Sequence, residues 1–61
     1  MERHQYRVVF HERPSEVFRA SRFEDDGAII EFYDADIEED ETTGTRVFTS
    51  SSVVEVVQLD D

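Results

Sequence analysis

The sequence has no cysteine and no lysine, one proline and two glycines. Without cysteine there is no disulfide and no thiolate to hold a metal. Small secreted domains usually rely on disulfides, so a cytoplasmic setting is expected. Apolar runs are also missing. The longest, such as Val8-Val9-Phe10, fall far below the roughly 18 residues of a membrane span. The opening segment Met1-Glu2-Arg3-His4-Gln5-Tyr6-Arg7 lacks the apolar stretch of a signal peptide. The expectation is therefore a chain that meets no membrane.

What is present is acid. Sixteen Asp and Glu face six basic residues, all arginine, for a net charge of -10 over 61 residues. A chain of this length forms one small domain, spanning 1–61, and buries only about 60% of the surface its unfolded form exposes. High net charge alone favours disorder. Five Phe, two Tyr and many Val and Ile, grouped in strand-like patches, argue for a folded core. In dilute buffer the carboxylates repel one another. In molar salt that repulsion is screened at about 3 Å. Rich in Asp and Glu and devoid of Lys, the composition resembles that of haloarchaeal proteins, which fold and work in concentrated salt.

Along the chain the period is two. Tyr6, Val8 and Phe10 share one face of a strand over Tyr6–Glu12, and Arg7, Val9 and His11 share the other. Pro14 ends that run, because it cannot donate to a ladder. Val17–Glu24 is a second strand rather than a helix, since its residues are poor helix formers and nothing caps its end. Asp26-Gly27 marks a two-residue hairpin turn leading into Ala28–Asp34. A turn centred there pairs residues whose numbers sum to 53. Arg22 then faces Glu31, Arg19 faces Asp34 and Phe23 faces Ile30, pairs that contribute about 0.2–1 kcal/mol each. Residues 36–45 read as an exposed acidic loop. Arg46–Thr49 forms a short strand, Ser50-Ser51-Ser52 a tight turn, and Val53–Leu59 the last strand. In that strand Val53, Val57 and Leu59 are expected on one face, Val54 and Val56 on the other.

The fold class is thus all-β, a small five-stranded antiparallel meander closed as a barrel or strongly curved. Five short strands, with the serine turn between the fourth and fifth, resemble the SH3-like and Sm-like small barrels. That resemblance implies a single 3₁₀ turn at Ser50-Ser51-Ser52. An open antiparallel sheet that dimerises is the structural alternative.

No motif for catalysis stands out. The acidic run Asp34–Glu41 superficially resembles an EF-hand loop but has Glu39 and Thr45 where glycine and glutamate are required. His4 and His11 are an odd seven residues apart and point to opposite faces of one strand, so no metal site is expected. Serines 50–52 have no histidine placed beside them by the sequence, and so small a domain has little room for a substrate pocket. The expectation is a non-enzyme without cofactor.

Arginine is unevenly spread. Residues 1–23 hold five arginines against three acids, a balance of +2, whereas residues 24–61 hold one against thirteen, a balance of -12. Arg3, Tyr6, Arg7, Val9, His11 and Arg13 are therefore the candidate partner-binding residues. Two functions fit them. The first is an interaction or assembly module that binds a protein partner or self-associates as a homodimer, with Val9, Val54 and Val56 as an apolar patch near the first and last strands. The second is a nucleic-acid-binding small barrel that uses arginine with an aromatic ring.

Overall fold

The structure is a computed structural model that describes residues 2–37 and 42–60. It is all-β. Its strands are β1 (His4–Phe10), β2 (Glu16–Ala20), β3 (Arg22–Asp25), β4 (Ile29–Ile37), β5 (Thr42–Thr49) and β6 (Val53–Gln58). The tight turn expected at Ser50–Ser52 joins the last two and takes the 3₁₀ form that the resemblance to small barrels implied. Two antiparallel three-stranded sheets result, in the orders β2-β1-β6 and β3-β4-β5.

Among the described residues there are six strands rather than five, and the sheets do not close into a barrel. The extra strand arises at Ser21, where the segment 16–25 bends and passes from one sheet to the other. The bend is held by Ser21, whose N–H donates to the Tyr33 carbonyl at 2.9 Å. Its hydroxyl lies 3.1 Å from both the Tyr33 carbonyl and the Asp34 carboxylate. A bent strand serving two sheets lets a very short chain wrap a core on both sides.

That core is apolar and aromatic. Tyr6, Val8, Phe10, Phe18, Ala20, Ile30, Phe32 and Ala35 are buried, with Phe48, Val53 and Val56 packed against them. Phe32 is its hub, with ring centroids 4.9 Å from Phe18, 5.3 Å from Phe23, 5.6 Å from Tyr6 and 5.9 Å from Phe48. The expected alternation of Tyr6, Val8 and Phe10 inward with Arg7 and Val9 outward holds.

Two bulges break the period-two rule elsewhere. Between Phe32 and Ala35 the β4–β5 register shifts by one, with Asp34 at φ 52°. The extra residue brings Ala35 back to the core side that Ile30 and Phe32 occupy. In β6, Glu55 pairs with Val9 but Val53 pairs with Phe10, leaving Val54 as the extra residue. Val53 and Val56 therefore both reach the core, and the expected placement on opposite faces is corrected by this bulge.

The hairpin register also differs from the expected one. Observed pairs are Arg22 with Tyr33, Phe23 with Phe32, Glu24 with Glu31 and Asp25 with Ile30. The turn centres on Gly27-Ala28, because Asp26 itself pairs with Ile29 through a 3.1 Å backbone bond. Gly27 takes φ 95°, which suits glycine at the first central turn position. The Asp26 carboxylate accepts from the Ala28 and Ile29 N–H groups, each at 2.9 Å, and the Asp25 carboxylate accepts from Gly27 N–H at 2.8 Å. Since the slip moves each partner by two, inward residues stay inward, but the expected pairs Arg22–Glu31 and Arg19–Asp34 do not form. Residues 36–37 and 42–45, expected in a loop, instead extend β4 and β5. The remainder of that acidic stretch, 38–41, lies outside the described residues.

Candidate interaction face

The outward residues of β1 decide what the three-stranded sheet β2-β1-β6 presents. Arg7 sits at its centre, paired in register with Val17 of β2 on one side and Val57 of β6 on the other. Val17 is 47% exposed, and Val9 and Val57 are half-buried. Gln5 and Arg19 pair next along the same face, and Glu55 lies opposite Val9. The face is thus two arginines among three valines, with one carboxylate at its rim.

The candidate residues do not form one site. Tyr6 is buried, 4% exposed, with rings of Phe23 and Phe32 against it. Burial pushes its phenol pKa up, helped by the nearby Asp60 charge. Its ring offers no stacking surface. Arg3 pairs with the Asp36 carboxylate at 2.5 Å and lies 3.3 Å from the Asp34 carbonyl. Arg13 is held by Glu16 and lies 4.1 Å above the Phe10 ring. Both guanidinium groups therefore brace the fold. His11 follows β1, its N–H bonded to the Ser52 carbonyl at 3.1 Å, beside a surface pocket of about 430 Å³ that Phe10, Arg13 and Phe48 also line. Of the six candidates, only Arg7 and Val9 share the outer face. Among the described residues Arg7 has no ion-pair, hydrogen-bond or ring partner, in contrast to Arg3, Arg13, Arg22 and Arg46. The expected apolar patch divides too, since Val56 packs inward while Val9 and Val54 do not.

Sequence reasoning missed Val17, Arg19 and Val57 as members of this face. The signal was there, in the alternation Val17, Phe18, Arg19, Ala20. It was hidden by assigning the whole segment to a hairpin with β4, whereas its first half pairs with β1.

One further cluster closes the same sheet at its end. The Asp60 carboxylate accepts from Gln5 N–H at 2.9 Å and lies 3.6 Å from His4 Nδ1. The backbone bond, aided by His4, lowers its pKa below the ordinary 3.8. This clasp ties the end of the chain to β1. Among the described residues no group of three or more His, Cys, Asp or Glu side chains is placed to hold a metal ion, and no helix is long and apolar enough to cross a membrane. Compared with family models, with curated proteins and with solved structures, the chain matches none.

Proposed function

We propose that the chain is a non-catalytic interaction or assembly module of a high-salt cytoplasm, docking through the outer face of the β2-β1-β6 sheet. Arg7 carries this reading. It is an exposed guanidinium without a partner among the described residues, set between Val17 and Val57 on the central strand of that sheet. Arginine is enriched among interface anchors, whereas lysine and carboxylates are depleted there, and the flanking valines supply apolar area around it. On a chain of net charge -10, this is where the acidic coat thins.

The high-salt element rests on charge. Besides the net -10, Glu24 stands directly opposite Glu31 in the β3–β4 ladder. Like charges opposite one another destabilise a sheet in dilute buffer. Molar salt screens them within about 3 Å.

The nucleic-acid alternative relied on arginine with a stacking ring. The buried Tyr6 ring removes that platform, and Arg3 and Arg13 are engaged by Asp36 and Glu16. Amide NMR spectra in molar KCl test the choice, recorded across a protein concentration series and with a mixed single-stranded oligonucleotide. Protein docking expects Arg7, Val9, Val17 and Val57 to shift with protein concentration or with a protein partner. Shifts of Arg3, Arg7 and Arg13 with oligonucleotide alone would overturn it.

A further inference from the structure

We infer that the partner is a second copy of this chain, added antiparallel along the free edge of β6 in a two-fold register centred on Val56. The inference rests on the reading above that Arg7 serves docking, and moves the contact to the β6 edge of that face, leaving Val17 on β2 uncovered.

Among the described residues β6 is hydrogen-bonded on one side only, to β1. Its other side carries a row of backbone donors and acceptors that an added strand satisfies. Edges are usually blunted by charge, lysine or proline. Val53-Val54-Glu55-Val56-Val57-Gln58 has one charge and neither lysine nor proline. By contrast, β3 carries Arg22, Glu24 and Asp25 in four residues. Beside β6 lies a groove of about 260 Å³ whose apolar lining is Phe23, Ile30, Val53, Val54 and Val56, with Asp25, Ser50 and Glu55 at its polar side. Phe23 is 39% and Val54 54% exposed there. For a chain of net charge -10, a self-contact has to form where carboxylates are few, and along β6 itself Glu55 is the single one, with Asp25 across the groove.

Charge complementarity selects the register. Glu55 and Val57 point outward, opposite Val9 and Arg7 of β1, and Val56 points inward. Antiparallel partners must lie on the same face, so a symmetric pairing centres on a residue. Centring on Glu55 sets two carboxylates against each other. Centring on Val57 leaves Arg7 and Glu55 without partners. Centring on Val56 places Glu55 of the second copy opposite Val57, whose neighbour on the far side is Arg7. Long side chains reach across that interval. Both charges on each copy, without ion-pair partners among the described residues, are then matched reciprocally. The product is one six-stranded sheet, β2-β1-β6 continued by β6-β1-β2.

Sedimentation equilibrium in about 0.15 M KCl, where charges still act over about 8 Å, tests this with the full chain, Arg7→Glu, Glu55→Arg and the double variant. The wild type is expected to dimerise. Each single reversal disrupts two symmetric pairs and weakens dimerisation about tenfold, and the double variant recovers it. A wild type that stays monomeric at NMR concentrations overturns the inference. So does a dimer equally strong in all four proteins. Hydrogen exchange on the wild type gives a check that needs no variant. Alternate β6 amides, those turned away from β1, gain protection with protein concentration, and concentration-independent exchange overturns the inference. A monomeric chain whose outer face still binds a different protein leaves the module reading standing, whereas a response to oligonucleotide alone removes that reading itself.

Discussion

Removing the Phe32 ring is the most informative perturbation of this fold. Phe32 is fully buried, and its ring lies within 6 Å of Tyr6, Phe18, Phe23 and Phe48, which come from β1, β2, β3 and β5. It joins both sheets. Phe32→Ala loses the transfer energy of the ring and leaves a cavity, typically about 3–5 kcal/mol. A domain of 61 residues has a total stability of about 3–9 kcal/mol, from the usual 0.05–0.15 kcal/mol per residue. The variant is therefore expected to keep at most about 6 kcal/mol, and to be largely unfolded at 25 °C without denaturant if the wild type lies in the lower half of that range. Phe32→Leu keeps most of the apolar volume and loses the edge-to-face contacts, each worth about 0.5–1.5 kcal/mol. It should stay folded and lose about 1–3 kcal/mol. Urea unfolding in molar KCl, followed by far-ultraviolet circular dichroism, measures both. A Phe32→Ala loss below about 1.5 kcal/mol, with an unchanged urea dependence, would refute the placement of this ring as the hub of one shared core.

Three other outcomes follow from local features. Asp34 at φ 52° carries the β4 bulge. Asp34→Asn, which tolerates that conformation, should cost under about 1 kcal/mol, whereas the β-branched Asp34→Val should cost about 2 kcal/mol or more in urea midpoints. The Asp26 pKa is lowered from 3.8 because its carboxylate accepts N–H bonds from Ile29 and Ala28. A lowered folded-state value means stabilisation that is present above about pH 3.8 and lost as pH falls through the lower folded-state value. The stability advantage of wild type over Asp26→Asn, which keeps an acceptor oxygen but does not titrate, should shrink across that interval in pH-dependent thermal melts. Glu31→Gln relieves the repulsion with Glu24 across the ladder. It should stabilise by about 0.2–1 kcal/mol at low ionic strength and have little effect in molar KCl.

Much of the fold was legible in local chemistry. Alternation placed Tyr6, Val8 and Phe10 inward, the dipeptide Asp26-Gly27 located the hairpin, and Ser50-Ser51-Ser52 marked the turn that became 3₁₀. The site was less legible. Arg7 and Val9 were found because they alternate with core residues. Val17 and Val57 were missed because their place on the face depends on which strands lie on either side of β1.

By itself, the sequence determined the all-β character, the inward face of β1, the approximate position of the hairpin and serine turns and the acidic surface. Each follows from residues within a few positions of one another. Only the tertiary structure decided the register, the strand count and the faces of β4 and β6. A shift of two preserves every inward side chain, so alternation cannot choose between registers. The choice fell to Asp25 and Asp26 capping the turn at Gly27-Ala28 and to Phe23 packing on Phe32. The bulges at Asp34 and Val54 reverse a strand's parity, and they exist because Ala35 and Val53 have to meet a core built from distant strands. The same requirement bends the chain at Ser21, buries Tyr6 and leaves Arg7 facing outward.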